Sequence, residues 1–175
     1  MGPVKILLLL LGALAGLLLL AGLFFYLVGR AQPERHTATI TFTLPKPRAA
    51  VWAALTDYAA MPQWWPAVAA IRFETRPDGA VVTWNKDGHG KEIGFRTREE
   101  QAPARLVREI VGDDLPFGGT WTYELAEDHG ATRVTLTEDG FVKPPLFRGI
   151  AKFFLQPDAT MRDFEKHFTP YVAAK

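Results

Sequence analysis

The sequence predicts an α+β protein in which an antiparallel sheet is covered by a long carboxy-terminal helix, with one transmembrane helix ahead of it. Three observations predict it. Ile6 to Gly29 is a run of 24 residues without a charged side chain. Between Thr37 and Glu138 the chain breaks into short segments of period-two or β-rich composition, punctuated by Gly, Pro and Asp turns. Finally, Met161, Phe164, Phe168 and Val172 recur at spacings of three and four, the stripe of an amphipathic helix.

The leading run is long enough to live in lipid. A helix rises about 1.5 Å per residue and the hydrocarbon core is about 30 Å thick, so roughly 20 apolar residues suffice. A cleavable secretory signal has an apolar centre of only about 7 to 15 residues before a small-residue cut. Gly29-Arg30-Ala31 offers a weak cut, yet the run ends in Phe24, Phe25 and Tyr26 followed by Arg30 and Arg35, the finish of a retained anchor. The domain plan is therefore an anchor over residues 1–30, a linker over 31–36 and a water-soluble domain over 37–175. A short leading segment with Lys5 as its one basic side chain places the amino end inside and the domain on the periplasmic or extracytoplasmic side.

The soluble part opens with a strand in which Ala38, Ile40, Phe42 and Leu44 alternate with four threonines. Pro45 and Pro47 stop it. Arg48 to Thr56 then carries Val51, Trp52 and Leu55 at helical spacing, and Tyr58 to Trp65 adds one or two further helical turns. Helices this short are marginal alone and must pack on a sheet. Its strands follow as Ile71 to Thr75, Ala80 to Asn85, Lys91 to Glu100, Arg105 to Val111, Thr120 to Ala126 and Ala131 to Glu138, with short turns that make neighbours antiparallel. After Pro144-Pro145, Leu146 to Leu155 puts Leu146, Phe147, Ile150, Phe153 and Phe154 on one side and Arg148 and Lys152 on the other. That segment reads as a core-facing helix or cavity gate, with a lip dipping into the bilayer as its rival.

Composition excludes several classes of function. A formal net charge of +1 and no basic run give no electrostatic case for nucleic acid. Zero cysteines rule out disulfides, thiolate metal sites and a cysteine nucleophile. His36, His89, His129 and His167 show no spacing that brings two to one metal, so they read as solvated surface and no metal or cofactor is expected. Asp113 and Asp114 read as carboxylates that keep a loop wet, and Gly118-Gly119 lacks the helix that a phosphate loop needs.

Val51-Trp52-Ala-Ala-Leu-Thr-Asp57 followed by Met61-Pro62-Gln63-Trp64-Trp65-Pro66 resembles the START-like, or SRPBCC, superfamily, in particular its polyketide cyclase/dehydrase and lipid-transport group. Gly118 to Leu125 and Thr132 to Thr137 look like its paired late strands, and the resemblance spans about Thr37 to Val172. It implies a helix-grip fold, a curved antiparallel sheet wrapped around the last helix with an apolar cavity between them. On that reading the inward face of the sheet takes Trp84 with Val82, Phe95 with Ile93, Trp121 with Tyr123, and Leu136, while the helix offers Met161, Phe164 and Phe168. Taken singly, each reads first as plain core, because every sheet and helix needs an apolar stripe.

Period two puts Glu138 on the face of Val134 and Leu136, and directs inward either Leu106, Arg108 and Ile110 or Val107, Glu109 and Val111. If Arg108 and Glu138 both face the cavity they can pair, orient a polar ligand head or serve acid–base work. Two functions follow from different classes. One is a membrane-anchored module that binds a hydrophobic small molecule or lipid. The other is an accessory or assembly subunit of a larger membrane protein complex. For a cyclase or dehydratase enzyme, a third class, the sequence offers no catalytic set to match.

Overall fold

The computed structural model describes residues 2–112 and 115–175, so the reading of Asp113 and Asp114 lies outside the described residues. The elements run α1 (Pro3–Arg30), β1 (Arg35–Leu44), α2 (Arg48–Thr56), a 3₁₀ turn (Tyr58–Ala60) leading into α3 (Met61–Trp64), β2 (Ala70–Thr75), β3 (Val81–Lys86), β4 (Glu92–Gln101), β5 (Arg105–Val111), β6 (Phe117–Asp128), β7 (Ala131–Val142), α4 (Pro145–Phe154) and α5 (Ala159–Ala173). They form two compact units, Met1–Glu34 with Val142–Gln156, and Arg35–Phe141 with Pro157–Lys175. The first unit thus takes in a stretch that the sequence reading assigns to the soluble domain.

In the second unit seven strands form one curved antiparallel sheet in the order β1-β7-β6-β5-β4-β3-β2. Successive hairpins generate all of it except the edge, where β1 returns beside β7 with Ile40 opposite Leu136 and Phe42 opposite Val134. The period-two pattern of β1 does what it must: Ile40, Phe42 and Leu44 are buried and the intervening threonines exposed. Met161, Phe164, Phe168 and Val172 of α5 are all buried, and they join Leu106, Tyr123, Leu125, Val134 and Leu136 of the sheet and Val51, Ala54 and Leu55 of α2 in one core.

Strands β6 and β7 are longer than the sequence reading, extending through Gly118-Gly119 and Asp139-Gly140. At Gly119, φ is +144°, and a Cβ there would run into the Asp139 carbonyl oxygen and the Gly140 Cα. The glycine pair therefore serves close strand contact. Gly140, opposite His36, likewise leaves room for the imidazole ring.

The first unit is built on α1 and α4. Their backbones touch at two glycines: a Cβ on Gly29 would strike the Pro145 carbonyl, and one on Gly149 the Phe25 carbonyl. Phe153 packs tilted against Phe24 and edge-on to Phe25, with ring centroids 6.0 Å apart in each case, and Phe154 lies 6.1 Å from Phe25. Arg148, with only 9% of its side chain exposed, donates from Nε to the Gly29 carbonyl at 3.1 Å and from Nη1 to the carbonyls of Val142 at 2.8 Å and Lys143. It thereby adds a side-chain donor at the helix end, where the last carbonyls lack i+4 partners within the helix. The expectation of a core-facing or gating segment is corrected here: Leu146, Phe147, Phe153, Phe154 and Leu155 are all exposed.

Candidate functional site

A cavity of about 310 Å³ lies between the sheet, the helical turn before β2 and the first turns of α5. Its walls are mostly apolar and rich in aromatic rings. Tyr58, Met61, Trp64 and Trp65 come from the 3₁₀–α3 segment, Ile93 and Phe95 from β4, Leu106, Arg108 and Ile110 from β5, Phe117, Trp121 and Tyr123 from β6, Glu138 from β7 and Phe164 from α5. The rings hold one another in place: Trp65 stacks on Trp64 at 5.9 Å, and Phe164 meets Trp64, Trp65, Trp121 and Tyr123 at 5.4–5.9 Å. The Trp65 indole N–H donates to Asp163 of α5 at 2.8 Å, which ties α3 to the helix across the cavity edge.

Register explains which side chains enter. Thr83 lies opposite Phe95 and Asn85 opposite Ile93, so these four share the cavity face, as do Arg108 and Trp121, paired across β5 and β6. Arg108 is 8% exposed. Its Nη2 donates to Thr83 Oγ1 at 2.6 Å and to the Phe95 carbonyl at 3.3 Å, and its guanidinium sits 3.9 Å over the Tyr58 ring. Among the described residues it has no carboxylate partner, and its Nε, like Asn85 Oδ1 and Trp64 Nε1, has no hydrogen-bond partner. Glu138 is held otherwise, accepting from Trp121 Nε1 at 2.8 Å with His36 Nε2 at 3.2 Å. Burial pushes the Tyr123 phenol well above its ordinary pKa, and the Arg108 charge only partly offsets this.

Of the residues proposed from sequence, Phe95, Arg108, Trp121, Tyr123, Glu138 and Phe164 come together around the cavity. Leu136, Met161 and Phe168 do not line it; they are sealed in solid core. Trp84 also stays outside. It lies opposite Arg72 and Gly94, its N–H donates to Glu74 at 2.9 Å and Arg72 covers its ring at 5.1 Å, with Val82 on the same face. The pairing of Arg108 with Glu138 is not formed: Arg108 bonds Thr83 and the Phe95 carbonyl, while Glu138 bonds Trp121 and His36. Two histidines also differ from plain solvated surface: His36 is bonded to Glu138, and His167 Nδ1 lies 2.8 Å from the Asp163 carbonyl. No group of three His, Asp or Glu that could hold a metal occurs among the described residues. The sequence reading missed Tyr58, Met61 and Trp65, although their spacing of three and four marks a helical stripe.

A curved antiparallel sheet gripping its carboxy-terminal helix around such a cavity defines a START-like protein. Solved structures share the fold. They include a START superfamily protein from Mycobacterium smegmatis (16% identity, TM-score 0.58, covering 79% of this chain and 98% of that one) and the Mll3558 protein from Rhizobium loti (24%, 0.51, 80% and 96%). The di-domain ARO/CYC StfQ of the steffimycin biosynthetic pathway matches over 80% of this chain and 51% of its own (11%, 0.62). No curated protein matches the sequence. The chain belongs to the polyketide cyclase/dehydrase and lipid-transport family, whose pattern covers residues 44–163.

Proposed function

We propose that this protein binds a small hydrophobic molecule with a polar, acceptor-bearing end, and holds it beside a membrane that α1 crosses. The observation that carries the reading is the cavity: aromatic walls around one buried cation that has no acidic partner among the described residues. Each methylene buried contributes about 0.8 kcal/mol, so the walls supply affinity and Arg108 supplies orientation. The volume of about 310 Å³ lies at the small end of the range of about 300–1,000 Å³ for ligand pockets. That favours a single short chain or fused rings over a two-chain lipid. Membership of the lipid-transport family agrees with a hydrophobic guest.

Retention of α1 is part of the proposal. The helix is long and apolar enough to cross a membrane, which a cleaved signal sequence also satisfies. Cleavage after Gly29 or Ala31, however, would cut through the Gly29 contact with α4 and remove the carbonyl that Arg148 holds. The globular unit then sits on the periplasmic or extracytoplasmic side, in keeping with the short, weakly basic leader.

Native mass spectrometry of the full chain, extracted gently from its own membrane, tests the binding reading. The expected result is a stoichiometric adduct of one small amphipathic compound, released on unfolding. Adduct-free protein whose tryptophan fluorescence responds to no amphiphile in a titration sinks it.

A further inference from the structure

We propose that α4 is a second membrane-contacting element, an interfacial helix lying in the headgroup boundary of the bilayer that α1 crosses. This rests on the reading of α1 as a retained span. Three observations carry it.

The first is the pattern of α4. At about 100° per residue, Leu146, Phe147, Phe153 and Phe154 fall within an arc of roughly 120°, while Arg148 and Lys152 lie on the other side. Those four residues are 44–70% exposed. A short helix with large exposed aromatics on one arc and cations on the other is the composition of an interfacial helix.

The second is continuity. Phe153 and Phe154 pack on Phe24 and Phe25 of α1, so the apolar arc of α4 joins the apolar surface of the span without a polar break. Whatever covers Phe24 on α1, which is itself exposed, also reaches Phe153.

The third is depth. With 10 residues, α4 is about 15 Å long and cannot cross a hydrocarbon core of about 30 Å. It contacts α1 at Phe24, Phe25 and Gly29, the last turns of the span, next to Arg30. That level is the aromatic and basic belt of a membrane protein. Arg148 directs its Nε and Nη1 inward to the Gly29, Val142 and Lys143 carbonyls, whereas Lys152 is exposed for the phosphates.

The absence of cysteine makes the test direct. Single-cysteine variants of the full chain, Phe154→Cys on α4, Leu14→Cys in mid-span and Lys166→Cys on α5, are labelled with an environment-sensitive dye. They are reconstituted in phosphatidylcholine/phosphatidylglycerol vesicles carrying either shallow or deep spin-labelled lipids, and iodide is used as the aqueous quencher. The Phe154→Cys dye is expected to be quenched severalfold more strongly by the shallow lipid than by iodide. The deep lipid should quench at Leu14→Cys, and iodide alone at Lys166→Cys. Leu155→Cys repeats the α4 measurement should a label at 154 disturb packing. Iodide quenching at both α4 sites with lipid quenching kept at Leu14→Cys overturns the inference and leaves the anchor standing. Iodide quenching at Leu14→Cys as well overturns both. Shielding of α4 from lipid and iodide alike means a protein partner covers it, which also overturns the lipid assignment.

Discussion

At the scale of single residues the cavity turns on Arg108. A buried cation that has no acidic partner among the described residues is costly, and its hydroxyl, carbonyl and ring contacts offset only part of the lost hydration. Arg108→Met keeps the volume and drops the charge. It is expected to leave the unfolding midpoint unchanged or raise it, while weakening an anionic amphiphile at least tenfold, about 1.4 kcal/mol, in a fluorescence titration. A lowered midpoint with unchanged affinity would mean that the arginine only supports the fold. Tyr123 gives a pH signature. Its pKa is raised above the ordinary 10.0 on folding, so its contribution to stability is complete below about pH 10 and is lost as pH climbs beyond it. Tyr123→Phe should flatten the alkaline decline of denaturant stability between pH 9 and 11 relative to the parent, with no difference at pH 7. Period two placed Glu138 correctly on the face of Leu136 and left Arg108 as one of two choices, because alternation says which residues share a face without saying which face is inside. Trp84 shows the cost of choosing by hydrophobicity. Val82 and Trp84 are greasier than Thr83 and Asn85, yet the polar pair faces the cavity, where Thr83 accepts from Arg108.

At the scale of elements, two glycine contacts decide how segments meet. Gly119 lets β6 approach β7 at Asp139, in a backbone conformation that costs other residues about 1–3 kcal/mol. Gly119→Ala should lower denaturant stability by at least that amount, because its methyl also meets the Asp139 carbonyl, whereas Gly79→Ala in the open turn before β3 should cost less. Gly149 does the same for α4 on α1. In a chain carrying Phe24→Cys and Phe153→Cys, a short bifunctional reagent should join the two helices efficiently, and Gly149→Leu should cut that yield severalfold; undiminished yield would show that the helices meet without the glycine. Helix boundaries such as Arg48–Thr56 were legible from the flanking Pro45 and Pro47 and from apolar spacing. The placement of α4 was not, since an apolar stripe looks the same whether it faces a sheet, another helix or lipid.

At the scale of the whole molecule, the succession of one strand, two short helices, six strands and a long helix could be read locally, because hairpin turns leave few topologies open. The size of the cavity could not. It is what remains after 17 side chains from two helices, the 3₁₀–α3 segment and five strands have settled against each other, and no local pattern encodes a remainder. That remainder sets how far a guest stabilises the fold. All five tryptophans, at positions 52, 64, 65, 84 and 121, belong to the globular unit, so intrinsic fluorescence follows its unfolding without a signal from α1 or α4. A guest bound only by the folded unit stabilises it by RT ln(1 + [L]/Kd), about 2.7 kcal/mol at a hundredfold excess over Kd. At roughly 2–4 °C per kcal/mol for a protein of this size, the tryptophan-detected midpoint of the full chain should rise by about 5–10 °C over the stripped protein. The rise should grow logarithmically with free ligand once the site is saturated, and Trp121→Ala, which opens the wall beside Glu138, should shrink it by weakening binding. A midpoint that does not move across concentrations that saturate the fluorescence signal would place the guest on both folded and unfolded chains, outside the cavity.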